Sequence, residues 1–139
     1  MDQEKLIQEL EKSAIEVTNQ VGIQINRILS YPHLNYPFQF LCGLGPRKSK
    51  AIYDQLRSQK LSMTSRREFK EDKILGNNIF TNMAGFIKIY CRDENIEDKD
   101  LLDTTRIHPN DYRLAQKIAK DALDDVENTQ DYIKTVRYY

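Results

Sequence analysis

Apolar residues recur every three or four positions at both ends of the chain, with short, turn-rich segments between them. Over residues 2–29 this spacing predicts one long amphipathic helix, interrupted at Gly22, that packs on a core. Its apolar stripe comprises Leu6, Leu10, Ala14, Val17, Val21, Ile25 and Ile28. A second stripe predicts a helix that starts at Pro109, and it comprises Tyr112, Ala115, Ile118, Ala119, Ala122 and Val126.

Residues 40–51 contain two glycines that flank one apolar residue and precede a basic helix start. Residues 38–42 favour a short helix, and Gly43 and Gly45 favour a tight turn because glycine tolerates unusual backbone angles. Pro46 suits the first position of the next helix, where its missing N–H has no partner. The pattern indicates the hairpin of a helix-hairpin-helix motif. The alternative is a plain helix–turn–helix corner whose glycines serve packing.

A helix start in this setting can hold an anion, because its first amides have no acceptor within the helix. A nucleic-acid phosphate is the natural candidate. The predicted binding residues are Gly43, Leu44, Gly45, Arg47, Lys48 and Lys50. Ser65 and Glu68 have the spacing of a capping box and predict another helix. Arg66, Arg67 and Lys70 are expected to be exposed on it, and they would extend the basic field.

The order of helix, glycine turn and apolar helix repeats about 32 residues further on, over residues 74–86. Its turn, Gly76, Asn77 and Asn78, is the weaker phosphate site, since it lacks a second small residue and an adjacent cation. The two hairpins are expected to bury Ile52, Leu56, Phe69, Ile79, Phe80 and Met83 together, with Ala51 also turned inward. Gly85 predicts a left-handed helix cap, and the alternation over 86–90 predicts a short strand.

The chain has 21 basic and 21 acidic residues, but their distribution is uneven. Residues 43–73 hold nine bases against four acids, whereas residues 93–131 hold twelve acids against five bases. This asymmetry suggests two faces with different partners. The polar, acidic residues 92–101 predict a linker, and Asp103 and Arg106 are expected to pair at the turn that follows it.

The sequence contains few residues at the spacing of a catalytic or metal-binding site. His33 and His108 lie far apart, and Cys42 and Cys91 form no metal-binding or redox pair. His108 is expected to cap a helix start. We therefore expect a non-enzymatic protein without metal or other cofactor. No signal peptide or membrane span is expected, which predicts a soluble intracellular protein.

Five ordered segments resemble one family, that of the nuclear transcription elongation factor and histone chaperone Suppressor of Ty six and its bacterial relative Tex. The segments are residues 21–26, 42–48, 79–89, 102–109 and 115–123. The resemblance implies a fragment of a much larger nuclear protein, whose partners would include histones and the RNA polymerase II elongation machinery. The mismatch at the second hairpin weakens the case for phosphate binding there.

The expected fold is mainly α-helical. A long helix over 1–36 precedes a tandem helix-hairpin-helix domain over 37–91. After the linker, the resemblance implies that residues 102–139 begin a small death-domain-like helical module. Two functions remain open: a module that binds the backbone of DNA or RNA, and a scaffold that packs other domains or contacts histones. An accessory domain of a DNA repair enzyme is disfavoured by the block at 102–109.

Overall fold

A computed structural model describes residues 2–59, 62–91 and 100–123 of the chain. The described residues are mainly helical, which confirms the predicted fold class. The α-helices are α1 (Gln3–Val21), α2 (Ile25–Ser30), α3 (Pro46–Gln59), α4 (Glu68–Glu71), α5 (Asn77–Met83) and α6 (Tyr112–Leu123). Short 3-10 helices cover Pro32–Leu34, Tyr36–Phe40, Ala84–Phe86, Leu101–Thr104 and Pro109–Asp111.

The predicted N-terminal helix is split at Gly22. The N–H of Gly22 donates to the carbonyl of Thr18 at 2.8 Å and closes α1. Gly22 itself has a φ of +78°, and a Cβ there would stand 3.0 Å from the carbonyl oxygen of Phe86. Only glycine fits this close approach. The chain then forms β1 (Ile23–Gln24), which pairs in parallel with β2 (Ile87–Lys88), and β2 confirms the short strand expected within residues 86–90.

The core lies between the two hairpins, as the sequence predicts. Ile52, Leu56, Phe69, Phe80 and Met83 are buried together, and Ile79 is partly buried against them. One inward assignment on α3 is wrong, because Ala51 is exposed while Ser49 and Tyr53 are buried. The buried face of α3 is therefore rotated slightly around the helix axis from the face that its apolar residues predict.

The prediction that the apolar stripe of α1 packs on the core is wrong, since no residue of α1 is buried. Leu10 and Val21 are each 60% exposed. The contact with the fold is polar instead: the Asn19 side chain donates to the Phe40 carbonyl at 3.0 Å and accepts from the Cys42 amide at 2.9 Å. Beyond Gly22 the stripe does turn inward, because Ile25 and Ile28 are buried.

The second predicted helix begins as a 3-10 turn at Pro109 and continues as α6. Ala119 is buried as expected, whereas Ile118 and Ala122 are exposed, and Val126 lies outside the described residues. The left-handed cap predicted at Gly85 is also wrong. Gly85 belongs to the 3-10 helix Ala84–Phe86, and the described glycines with positive φ are Gly22 and Gly43.

Candidate nucleic-acid interface

The first hairpin turns at Gly43, which has a φ of +81°. A Cβ at this position would stand 3.0 Å from the Cβ of Asn82, just before the end of α5, so the two hairpins meet here. The turn is closed by the Leu44 amide, which donates to the Leu41 carbonyl at 3.0 Å. The glycine expected from the sequence is thus required both by the backbone angle and by the close packing of the second hairpin.

The start of α3 has the geometry that suits an anion. The Gly45 carbonyl accepts from the Ser49 amide at 2.9 Å, and Pro46 has no N–H to satisfy. In the described part of the chain, the amides of Arg47 and Lys48 have no acceptor. Apart from its chain neighbours, no described atom lies within 4 Å of the Cβ position of Gly45, so another molecule can approach the backbone closely.

Three cations surround this helix start. Arg47, Lys48 and Lys50 are all exposed, and all lie on the first turns of α3. Their charges reinforce the partial positive charge that the helix dipole places at the same end. Of the predicted residues of the first hairpin, Gly43 and the three cations are exposed near the helix start, whereas Leu44 packs against the core.

Arg66 is buried, so the prediction that it is exposed is wrong. The residue is 1% exposed, and its guanidinium donates to the carbonyls of Ile87, Thr105 and Ile107. It also donates to the Tyr112 hydroxyl at 2.9 Å. A guanidinium needs several acceptors once it is removed from water, and the loops supply them. No local signal in the sequence marks this burial, because Arg66 lies in the turn before α4 and its acceptors lie 21 to 41 residues further along the chain.

Arg67 and Lys70 are exposed, as predicted. Arg67 immediately precedes α4 and Lys70 lies on it, whereas the other exposed cations lie at the start of α3. The ammonium of Lys70 lies 5.6 Å from the ring centroid of Phe80 on α5. The capping box is half formed: Glu68 Oε1 accepts from the Ser65 amide at 2.9 Å, while the Ser65 hydroxyl donates to Asp103 at 3.0 Å. The remaining predicted cations are therefore divided between α3 and α4.

The second hairpin differs from the first in its turn. Gly76 immediately precedes α5, as Gly45 precedes α3, and Asn77 and Asn78 are exposed. The positive φ of this turn belongs to Lys73, at +52°. Sequence reasoning missed Lys73, because lysine is not a residue that marks left-handed backbone. A cation is thus present at the second turn, although not at the position that the first hairpin suggests.

A buried polar cluster joins the hairpins to the segment that follows residue 100. Asp103 accepts from the Arg66 amide at 3.0 Å and from the Tyr112 hydroxyl, and the predicted pairing of Asp103 with Arg106 is wrong. Arg106 instead donates to the Gln20 carbonyl at the end of α1 and lies 5.7 Å from the Phe86 ring centroid. Burial, followed by the hydrogen bond to Asp103, raises the pKa of Tyr112 far above its ordinary value.

His108 caps the turn before α6, as expected. Its Nδ1 accepts from the Asn110 amide at 3.1 Å, and its Nε2 lies 2.8 Å from the Thr81 carbonyl oxygen. These partners require the tautomer that carries the proton on Nε2. Most of the predicted linker, residues 92–99, lies outside the described residues, and the boundaries of the four predicted segments stay predictions.

Nowhere in residues 2–59, 62–91 and 100–123 do three metal-ligating side chains come together as a cation site. Among the helices described for this chain, none has the length and apolar character needed to cross a membrane.

Comparison with known proteins gives a consistent result. The family model described as "Helix-hairpin-helix motif" matches residues 1–90. The Suppressor of Ty 6 homolog of Caenorhabditis briggsae is 36% identical over 129 residues, which cover 89% of this chain and 8% of that protein. The transcription elongation factor SPT6-like protein of Arabidopsis thaliana is 39% identical over 138 residues, covering 94% of this chain and 10% of that protein. The chain thus spans about a tenth or less of these curated relatives.

Proposed function

This chain belongs to the helix-hairpin-helix motif family, and we propose that it is a non-enzymatic module of a transcription elongation factor, with nucleic-acid backbone as its ligand. The relatives named as transcription elongation factors support the assignment to such a factor. They agree with the five sequence segments that resemble the Suppressor of Ty six family. A nuclear location, and contact with histones and the RNA polymerase II elongation machinery through a larger protein, belong to the same proposal.

The observation that carries the ligand assignment is the start of α3. Two amides without an acceptor in the described part of the chain, an open approach at Gly45 and three exposed cations converge there. A phosphate diester satisfies all of these features at once: its oxygens accept from the amides, and its charge is attracted by the lysines. Arg67, which immediately precedes α4, and Lys70 on α4 would add long-range attraction, and Lys73 would do the same at the second turn.

Such binding would follow the backbone rather than the base sequence. The donors at the α3 start are main-chain amides and flexible cations, which contact phosphates but carry little information about bases. The aromatic residue of α3, Tyr53, is only 6% exposed and offers no stacking surface. We expect similar affinity for duplexes of different sequence and a steep dependence on salt.

The alternative function is a scaffold without direct nucleic-acid contact. The observation that favours it is the exposed apolar face of α1, which is the kind of surface that another protein segment covers. α1 meets the first hairpin through Asn19 on its polar side, so this apolar face stays exposed on the described part of the chain.

Binding to short DNA duplexes of unrelated sequence, measured by fluorescence anisotropy at low salt, tests the proposal. The variant Lys48→Glu/Lys50→Glu reverses two charges at the α3 start. Lys117→Glu/Lys120→Glu makes the same change in charge on exposed positions of α6 and serves as the matched control. We expect loss of binding in the first variant and near-normal binding in the second. Equal loss in both would point to net charge alone, and no binding by the unaltered chain would favour the scaffold.

A further inference from the structure

Six large apolar side chains are exposed along α1, which is an unusual concentration for one helix. Their exposures range from 45% for Leu6 to 60% for Leu10 and Val21. The others are Ile7, Ile15 and Val17. With 19 residues, α1 is about 28 Å long at 1.5 Å per residue, long enough to form an interface with another helix.

The apolar positions follow a heptad pattern. Ile7, Leu10, Ala14, Val17 and Val21 are separated alternately by three and four residues, which is the spacing of a coiled-coil seam. Asn19, which bonds to the first hairpin, falls on the opposite side of the helix. The contact that fixes α1 to the fold therefore turns the seam outward.

The seam continues beyond the helix into a groove. Val17 and Val21 also line a groove of about 510 Å³, together with Ile28 of α2 and with Leu34 and Pro37 from the following turns. An occupant that runs along α1 would thus meet further apolar surface at the C-terminal end of the helix. Arg27 and Lys88 lie at the same groove.

The charges along α1 are arranged asymmetrically around the seam. Glu4 and Glu11 lie next to the seam on one side of the helix. Glu16 lies farther from the seam, on the other side of the helix. These three carboxylates have no partner among the described residues. Lys5 and Lys12 both lie opposite the seam, and Lys12 is engaged with Glu9 at 2.7 Å. Two carboxylates and no cation therefore border the first two-thirds of the seam, both on the same side.

We infer that α1 is a docking site for a second amphipathic helix, one whose apolar stripe is bordered by lysine or arginine. The apolar spacing sets the shape of the partner, and the acidic border sets its charge. In such a pair, cations at the border of the partner meet Glu4 and Glu11 across the interface, as in coiled coils with complementary edge charges.

A second copy of this chain fits the seam less well. Two copies of α1 side by side place the acids of one near the seam of the other, while Lys5 and Lys12 point away from both. In an antiparallel pair centred on the helix, Glu11 faces Glu11 of the other copy, which is repulsive. Nothing in the border supplies the opposite charge, so the partner is a different helix.

Three designed peptides, each three heptads long, test this inference against the whole chain. The first carries leucine at its seam and lysine at its borders. The second has the same seam with glutamate at its borders. The third keeps the composition of the first but scrambles the apolar stripe. We expect the first peptide to bind at least tenfold more tightly than either of the others in fluorescence anisotropy.

Substitutions in the chain locate the binding. Leu10→Ser/Val17→Ser removes two seam side chains that are 60% and 57% exposed, and circular dichroism verifies that the fold is retained. This variant is expected to lose binding, whereas Lys5→Gln/Lys12→Gln, on the opposite face, retains it. Equal binding of the lysine and glutamate peptides, binding of the scrambled peptide, or no binding would each overturn the inference. Self-association of the chain through the seam in light scattering would assign it to a second copy instead.

Discussion

The Nε of Arg66 lies 4.0 Å from Oδ1 of Asp103, and the two side chains are 1% and 4% exposed. Asp103 also accepts from the Arg66 amide, so the same residue is held through its main chain and its side chain. The pair lies where the first helix of the second hairpin meets the segment that begins at residue 100. The buried arginine is therefore one of the main links between these two parts of the structure.

Replacing this arginine should destabilise the fold severely. Arg66→Met leaves Asp103 buried without its cation and removes the donors to three carbonyls, which is expected to cost about 3 to 5 kcal/mol of unfolding free energy. Arg67→Met is the matched control, since it removes the neighbouring exposed arginine and should change stability by less than about 0.5 kcal/mol. Urea denaturation followed by circular dichroism measures both. Equal stabilities of the two variants would contradict the buried role of Arg66.

Tyr112 should make stability sensitive to alkaline pH. Its pKa is raised in the fold, mainly by burial, so the folded state retains a proton that the unfolded state loses above about pH 10. Stability is therefore complete below that pH and falls as pH rises, by up to about 1.4 kcal/mol per pH unit. The Tyr112→Phe variant has no phenolic proton at this position, so its stability should fall less over the same pH range.

Denaturation of both proteins between neutral pH and pH 11 tests this expectation. At neutral pH the unaltered chain should be the more stable, because the phenol is hydrogen-bonded to Asp103 and Arg66. The difference should shrink above about pH 10. A difference that stays constant over the whole range would show that Tyr112 ionises equally in the folded and unfolded states.

Lys73 carries strain in the turn of the second hairpin. A non-glycine residue at a φ of +52° pays about 1 to 2 kcal/mol, part of which glycine recovers. Lys73→Gly should therefore stabilise the chain by about 0.5 to 1 kcal/mol, whereas Lys73→Ala, which keeps the Cβ, should not. If thermal denaturation shows the same change for both variants, the charge rather than the backbone conformation determines the effect.

The sequence was informative where one local pattern determines the outcome. Gly43 and Pro46 mark the hairpin turn and helix start, and the apolar positions of α3, α4 and α5 mark the shared core, because turn geometry and burial are both local signals. It failed where the partner of a side chain lies far along the chain. The burial of Arg66 depends on carbonyls at residues 87, 105 and 107.

The outward orientation of α1 could not be predicted for a related reason. An apolar stripe indicates that a helix has a face to bury, but it does not identify what covers that face. Here the side toward the fold is fixed by the amide of Asn19, which is one polar residue among many in the sequence. Lys73 is similar, since nothing in its neighbours indicates left-handed backbone.

The most direct test of the proposed phosphate contact is the salt dependence of DNA binding. Each phosphate neutralised on a duplex contributes about 0.9 to the slope of log K against log salt. Lys48→Gln/Lys50→Gln should therefore reduce the slope of the unaltered chain by about 1.8, whereas Lys5→Gln/Lys12→Gln should leave it unchanged. The same slope in all three proteins would contradict phosphate binding at the start of α3.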